Sequence, residues 1–164
     1  MTKPIVELIT DLAASLIDAK QKICTAESCT GGLIAKSFTD LVGSSTWFER
    51  GFVTYSNESK AEMLGVCVSV IEQYGAVSES VAIAMAVGAL SHSHADYSIA
   101  VTGVAGPGGG SEEKPVGTVW ISVASQTQTR AQKFIFDGDR EAIRLMTMRS
   151  AVEQVFTLIS KNNV

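Results

Sequence analysis

Apolar side chains recur at helical spacing near both ends of the chain. The first such segment runs from Pro4 to Ala19, and a proline suits the first turn of a helix. Its apolar positions are Ile5, Leu8, Ile9, Leu12, Leu16 and Ile17. The last segment, Glu141 to about Ser160, is amphipathic in the same way. Between them, Glu79 to about Leu90 follows a possible capping serine, Ser78, and is apolar nearly all round, which predicts a helix packed on both sides.

Short apolar runs between these helices predict strands. Three runs are rich in β-branched or aromatic residues: Ile23 to Ala26, Phe52 to Tyr55, and Asp96 to Thr102. The first run precedes a predicted helix from Leu33 to about Leu41. The second precedes a short predicted helix from Glu58 to Leu64. Strands and helices therefore alternate in the first part of the chain, which is typical of α/β proteins.

The later part of the chain shows a different pattern. Gly117 to Ala124 and Arg130 to Phe136 alternate in polarity and are joined by a polar turn, which predicts an antiparallel hairpin. The segment from Val68 to Gln73 fits neither period. We therefore expect an α/β fold, namely a three-layer α/β/α sandwich with a mixed sheet of about five strands, in one domain over residues 1–164.

Composition narrows the class of protein. Hydrophobic residues make up 46% of the 164 residues and charged residues 18%, values typical of a globular domain. The net charge of −4 argues against a nucleic-acid surface but allows an anionic substrate held by local groups. The three cysteines lack the spacing of metal ligands and suggest a reducing compartment. The longest apolar run is too short to span a membrane, so we expect a soluble cytoplasmic protein.

The clearest candidate for chemistry follows the first predicted strand. Ser28 lies where that strand turns into a helix, and N–H groups at a helix start have no partner within the helix. A serine there can attack a carbonyl carbon, and the N–H groups can hold the oxyanion that forms. Gly31 and Gly32 leave room for a substrate close to the backbone. The commoner alternative is that Ser28 or Thr30 only caps the helix.

A serine nucleophile needs a base, and the sequence favours lysine over histidine for this role. His92 and His94 lie at the polar end of a predicted helix, and no third metal ligand is near them, so no metal site is expected. Lys60 lies just after a strand at a helix start, where burial and the helix dipole both lower a lysine pKa. Tyr55, at the end of that strand, could relay a proton. An exposed lysine is the commoner alternative for Lys60.

Two further segments could bind an anion. Gly103 to Gly110 is a glycine-rich loop after a predicted strand, and the N–H groups of such loops can hold phosphate. A flexible connector is the alternative. Arg140, near the start of the last helix, could bind an anion through two N–H groups, although an arginine there is more often a surface charge. No cofactor is expected.

Five segments, in this order, resemble the CinA C-terminal domain family, the family of nicotinamide mononucleotide deamidases. They are Ala26 to Gly32, Gly51 to Asn57, Gly75 to Ser78, Thr102 to Pro107, and Lys114 to Val119. The resemblance extends over nearly the whole chain and is to the stand-alone form, without the N-terminal domain of longer CinA proteins. It implies hydrolysis of nicotinamide mononucleotide to nicotinate mononucleotide and ammonia, in pyridine nucleotide recycling, with no metal.

The resemblance also implies roles for individual residues. The serine of the family falls on Ser28, its lysine on Lys60 and its tyrosine on Tyr55, which implies a Ser–Lys mechanism. We expect the N–H groups from Cys29 to Gly32 to hold the oxyanion. For substrate contacts we expect Glu27, Thr30, Gly31, Gly32, Ser44, Asn57, Thr102, Gly103, Gly106 and Arg140, although on local sequence a plain turn with a serine cap is the commoner alternative for Ser44.

A second function remains open at this point. A nucleotide-binding or regulatory module associated with competence or DNA damage would keep the glycine-rich pocket without turnover. The presence of Lys60 together with Ser28 favours the enzyme. For partners we expect the small-molecule substrate and a second copy of the chain in a homo-oligomer, a dimer, with neither nucleic acid nor membrane.

Overall fold

The computed structural model describes residues 2–163, which form five strands, six α-helices and one short 3-10 helix. The strands are β1 (Ile23–Glu27), β2 (Phe48–Val53), β3 (Tyr97–Gly103), β4 (Thr118–Ser125) and β5 (Thr129–Ile135). The helices are α1 (Ile5–Ala19), α2 (Leu33–Thr39), α3 (Asn57–Leu64), α4 (Val68–Tyr74), α5 (Glu79–Ser91) and α6 (Arg140–Asn162), with the 3-10 turn at Ser44–Thr46. The predicted alternation of strands and helices is confirmed.

The five strands form one mixed sheet in the order β2-β1-β3-β4-β5. The central strand β1 runs parallel to both β2 and β3. Strand β4 pairs antiparallel with β3, and β5 pairs antiparallel with β4. The β4–β5 hairpin and the mixed five-stranded sheet agree with the pattern of the sequence.

Each face of the sheet is covered by its own hydrophobic cluster, which gives the three layers. Side chains of α1, α2 and α6 pack on one face against Ile23, Ile99 and Ile121. Side chains of α4 and α5 pack on the other face against Cys24 and Ala100. Neighbouring strand residues point to opposite faces, so β1 and β3 are buried on both sides.

Strand β2 differs from the sequence-based prediction. The strand was expected at Phe52 to Tyr55, but it begins at Phe48 and ends at Val53. The start of β2 is not recognisable in the sequence, because the adjacent charged residues Glu49 and Arg50 are not typical of a strand. At this sheet edge they pair with each other, and Arg50 also donates to the carbonyl of His92. The ambiguous segment after Leu64 contains α4.

Three parallel strands end at the same edge of the sheet, and this edge holds the candidate site. The residues that follow β1, β2 and β3 are Ser28, Thr54 and Val104. Ligands of open α/β sheets bind at the carboxyl ends of the strands. No helix within residues 2–163 is long and apolar enough to cross a membrane.

Candidate active site

The turn from Ser28 to Gly32 joins β1 to α2 and is held by backbone hydrogen bonds. The N–H of Ser28 donates to the carbonyl of Val101 at 3.1 Å, which ties the turn to β3. The N–H of Gly31 donates back to the carbonyl of Ser28 at 3.0 Å. Gly31 and Gly32 have φ of 57° and 101°, values that glycine adopts without strain, so this pair lets the chain reverse sharply into the helix. Ser28 is thereby held at the strand end with 8% of its surface exposed.

Glu27, rather than Ser28, satisfies the start of α2. One carboxylate oxygen accepts from the N–H of Ile34 at 2.8 Å and from the hydroxyl of Thr30 at 2.7 Å. The other accepts from the N–H of Ala35 at 3.0 Å. Ser28 therefore does not cap α2, although its position would allow it. Glu27 and Thr30 are fully buried, hold the turn and do not line the cavity described below, and the substrate contact expected of them stays a prediction.

Lys60 reaches the site from α3, with 1% of its surface exposed. Ser56 starts this helix by accepting from the N–H of Ser59. The Nζ of Lys60 lies 3.1 Å from Oγ of Ser28. It also lies 3.0 Å from the carbonyl oxygen of Thr54 and 3.3 Å from that of Tyr55. Burial lowers the pKa of Lys60, since its ammonium form loses hydration there.

A cavity of about 190 Å³ opens over this pair. Its walls come from all three parallel strand ends and from α3 and α6: Ser28, Cys29, Tyr55, Asn57, Lys60, Ala76, Val77, Thr102, Gly103, Ala105 and Arg140. A larger groove of about 740 Å³ lies between β5 and α6, but no serine–lysine or serine–histidine pair lines it. The smaller cavity is therefore the better candidate for chemistry.

Arg140 and Tyr55 meet at the mouth of this cavity. Arg140 begins α6, and its Nη1 donates to the carbonyl of Gly106 at 2.8 Å. Its Nη2 lies 3.4 Å from the hydroxyl of Tyr55. Tyr55 is 63% exposed, and within residues 2–163 its hydroxyl contacts neither Ser28 nor Lys60. The tyrosine side chain is therefore placed beside the arginine rather than on the serine–lysine pair.

The structure brings together some of the expected substrate contacts and separates others. Asn57, Thr102, Gly103 and Arg140 line the cavity with Ser28, Lys60 and Tyr55. Gly31, Gly32 and Gly106 lie outside its lining, and Gly106 instead anchors Arg140. Ser44 is in the 3-10 turn before β2, at the amino end of the sheet, and the structure does not place it near Ser28 within one chain.

Arg144 also contacts the Ser28 turn, although it lies outside the five sequence motifs. It lies one helical turn after Arg140 on α6, and its Nη2 donates to the carbonyl of Thr30 at 2.7 Å. The spacing of four residues from Arg140 was the available signal, because it places both arginines on one face of the helix. Cys29, the neighbour of Ser28, has its pKa raised to about 12 by burial, so its thiol stays protonated.

The described part of the chain was also considered for a metal site. Across residues 2–163 no cluster of three or more histidine, cysteine, aspartate or glutamate side chains could hold a metal ion. The cavity itself offers a serine hydroxyl, a lysine amine with a lowered pKa, and the side chains of Tyr55 and Arg140.

Fold and site together define an α/β/α protein with a ligand cavity at the carboxyl edge of its parallel strands. Residues 6–159 match the model of the CinA C-terminal domain, and the chain belongs to this family. Nicotinamide-nucleotide amidohydrolase PncC of Escherichia coli strain K12 is 51% identical over 141 residues, which cover 85% of this chain and 86% of that protein. PncC of Enterobacter agglomerans is 50% identical over 157 residues, which cover 95% and 96%.

Solved structures agree with this family assignment. The crystal structure of competence/damage inducible protein CihA from Agrobacterium tumefaciens matches with a TM-score of 0.92 at 44% identity, covering 96% of this chain and 99% of that one. A CinA superfamily protein from Escherichia coli matches with a TM-score of 0.91 at 37% identity, covering 94% and 90%. The predicted family and fold class are confirmed.

Proposed function

We propose that this protein hydrolyses the carboxamide of nicotinamide mononucleotide, giving nicotinate mononucleotide and ammonia. The observation that carries the proposal is the 3.1 Å contact between Nζ of buried Lys60 and Oγ of Ser28. The names of two relatives at about 50% identity, both nicotinamide-nucleotide amidohydrolases, support the substrate. Residues 1–164 would act as one domain.

The surroundings of Lys60 suit a neutral amine. A neutral amine has two N–H donors and one lone pair. The carbonyl oxygens of Thr54, Tyr55 and Ser56 lie 3.0, 3.3 and 3.5 Å from Nζ, and the two nearer ones can accept from the two donors. The lone pair then accepts the hydroxyl proton of Ser28. Lys60 forms no salt bridge within residues 2–163, so burial would favour loss of its proton.

In the first half of the proposed reaction, Lys60 takes the proton of Ser28 while Oγ forms a bond to the amide carbon. The electron pair of the carbonyl moves to oxygen, and N–H groups of the turn at Cys29 and Thr30 hold the resulting oxyanion. Lys60 then gives its proton to the amide nitrogen. The carbon–nitrogen bond breaks, ammonia leaves, and an ester of Ser28 remains.

In the second half, Lys60 takes a proton from water as the water oxygen attacks the ester carbon. Collapse of this second tetrahedral intermediate breaks the bond to Oγ, and Lys60 returns the proton to Ser28. The product leaves as the carboxylic acid and ionises in water. The same lysine therefore acts as base and then as acid in each half of the reaction.

The size of the cavity suggests how the nucleotide lies. Ligand pockets commonly measure about 300–1,000 Å³, so a cavity of about 190 Å³ holds only part of a nucleotide. We place the pyridine carboxamide inside, against Ser28, and the ribose phosphate at the mouth. Arg140 is the cation at that mouth, and an anionic substrate of a protein with net charge −4 needs such local positive potential.

A binding module without turnover is the competing function. Some relatives are described as competence or damage proteins, such as the one from Agrobacterium tumefaciens. However, binding alone gives no reason to bury a lysine against a serine, because burial of an amine opposes its charge. The buried Lys60 therefore favours the enzyme.

The deciding experiment measures ammonia and nicotinate mononucleotide formed from nicotinamide mononucleotide by wild type and by Ser28→Ala. We expect the variant to lose at least about 10³-fold in kcat. Ser37→Ala is the matched control, because Ser37 bonds only within α2 and to Met148. A Ser28→Ala variant with a near wild-type rate would refute the assignment of Ser28 as the nucleophile. A wild type that binds the nucleotide without releasing ammonia would support the binding module.

A further inference from the structure

Arg144 is joined to the backbone beside Ser28 by a continuous series of hydrogen bonds. The Nη2 of Arg144 donates to the carbonyl of Thr30 at 2.7 Å. That carbonyl shares a peptide unit with the N–H of Gly31, which donates to the carbonyl of Ser28 at 3.0 Å. The carbonyl of Ser28 in turn shares a peptide unit with the N–H of Cys29. Two peptide units in series therefore lie between the guanidinium and the Cys29 N–H.

A hydrogen bond accepted by a carbonyl polarises the N–H of the same peptide unit. Bonds in such a chain strengthen one another, and the effect is larger where a charged donor stands at one end. Arg144 is that charged donor. The positive end of the chain is therefore the N–H of Cys29, which becomes a better donor toward negative charge.

Within residues 2–163 the Cys29 N–H has only the thiol of its own residue as a hydrogen-bond partner, so it can act on a ligand. Cys29 lines the cavity, and its N–H donates to no oxygen of residues 2–163. In serine hydrolases with a nucleophile at a strand-to-helix turn, the residue after the nucleophile commonly supplies an oxyanion donor. The first N–H groups of α2 itself are not available, because that of Leu33 donates to the carbonyl of Thr30 at 3.1 Å, which thus accepts from both Leu33 and Arg144, and those of Ile34 and Ala35 donate to Glu27.

We propose that Arg144 is a positioning residue that orients and polarises the Cys29 N–H, through the peptide units of Thr30–Gly31 and Ser28–Cys29, to hold the oxyanion. This inference rests on the proposed function. Thr30 is held from two sides in this arrangement, its hydroxyl by Glu27 and its carbonyl by Arg144. The carboxylate and the guanidinium thus fix the turn without contacting the substrate.

Steady-state kinetics test the inference, because the oxyanion exists only after attack has begun. Arg144→Met should lower kcat by roughly 10-fold, less than the 10²–10³-fold of losing an oxyanion donor outright, and should leave KM nearly unchanged. Arg144→Lys keeps the charge and should recover part of the loss. Arg149→Gln is the matched control, since Arg149 lies on the same helix and bonds Glu153 and the carbonyl of Lys3.

The substrate panel separates this role from a direct contact with phosphate. The loss in Arg144→Met should be the same for nicotinamide mononucleotide and for nicotinamide riboside. A loss confined to the nucleotide, or a rise in KM with kcat unchanged, would overturn the inference. If Arg144→Met does not fold, Arg144→Gln still tests the inference, because it keeps an N–H donor without the charge, and a kcat equal to wild type at unchanged stability would overturn it.

A measurement without turnover keeps the inference separate from the proposed function. The backbone amide proton shift of Gly31 reports the strength of its bond to the carbonyl of Ser28, and that of Cys29 reports the polarisation of its own N–H. We expect both signals to move upfield in Arg144→Met and to stay in place in Arg149→Gln. Unmoved signals would overturn the inference, whereas an inactive wild type with moved signals would refute only the proposed function.

Discussion

Lys60 Nζ lies 3.1 Å from Oγ of Ser28, although 32 residues separate the two along the chain. Ser28 follows β1 and Lys60 is in α3, which begins four residues after the neighbouring strand β2 ends. Because β1 and β2 are parallel neighbours, their carboxyl ends bring the two side chains to one point. This relationship is the basis of the first two predictions.

Activity should depend on the protonation of Lys60. Since burial lowers its pKa, the neutral form needed to accept a proton should become populated below the usual lysine range. We expect kcat/KM to rise with pH through one ionisation and to fall as Lys60 becomes protonated. Lys60→Arg cannot lose its proton and should lose at least about 10²-fold. A pH–rate profile measures this, with the exposed Lys36→Arg as control; an active Lys60→Arg would show that another group activates Ser28.

The pH dependence of stability that arises from Lys60 should have the opposite sign from that of a salt-bridged lysine. Its folded-state pKa is lowered, so between that pKa and about 10.4 the unfolded chain binds more protons and the free energy of unfolding rises with pH. Each unit of lowering corresponds to about 1.4 kcal/mol. Lys60→Met should remove this contribution and be more stable than wild type in the acidic part of the range.

Urea denaturation at several pH values measures this difference. Burial raises the pKa of Cys24 to about 11 and that of Cys29 to about 12, and these thiols lower stability at high pH. Both proteins keep the cysteines, so subtracting one curve from the other isolates Lys60. A difference that does not change with pH would contradict the lowered pKa.

Recognition of phosphate should depend on Arg140. Arg140→Met removes the cation at the mouth of the cavity, and a hydrogen bond to a charged group contributes about 1.5–3 kcal/mol. We expect KM for nicotinamide mononucleotide to rise roughly 10-fold or more, with little change for nicotinamide riboside. Arg130→Met, on the exposed face of β5, is the control. Equal losses on both substrates would show that Arg140 does not contact the phosphate.

Tyr55→Phe separates a role at the cavity mouth from a proton relay. The Tyr55 hydroxyl lies near Nη2 of Arg140 and does not contact Lys60 or Ser28, so we expect its loss to act mainly on KM for the nucleotide. The change in kcat should be smaller than the roughly 10²-fold contribution of a group that transfers protons. Initial rates over a range of substrate concentrations give kcat and KM separately and so decide between the two roles of Tyr55. A kcat loss as large as that of Lys60→Arg would place Tyr55 in proton transfer.

Glu27→Gln should destabilise the turn that carries Ser28. The carboxylate accepts three hydrogen bonds in a fully buried position, and an amide would turn an N–H₂ group toward one of these donors. We expect a loss of about 2 kcal/mol in the free energy of unfolding. Urea denaturation measures it, with Glu62→Gln on the exposed face of α3 as control. An unchanged midpoint would show that Glu27 does not hold the turn.

Some expectations remain predictions. The homo-oligomer is one, and light scattering of the purified protein measures it. The cytoplasmic location and the absence of nucleic-acid partners are others.

The sequence by itself determined the order of strands and helices, the hairpin of β4 and β5, and the glycines of the Ser28 turn. These features are local: apolar spacing distinguishes helix from strand, and a reversal at positive φ requires glycine. The start of β2 was missed because Glu49 and Arg50, which pair with each other, are also satisfied by the backbone of His92 and His94, far away in the chain. The motifs also gave Ser28 and Lys60 as candidates.

Only the tertiary structure decided which candidate site residues lie close together and which of them are buried. Burial of Lys60 depends on the packing of α3 against α4 and α5, and no local pattern distinguishes it from an exposed lysine. In the structure Glu27 caps α2 and Arg144 contacts the Ser28 turn. Neither role could be predicted, because both residues act on neighbours that only folding brings close. Ser44 was separated from Ser28 for the same reason. Side-chain roles of this kind depend on long-range contacts, which the order of residues does not show.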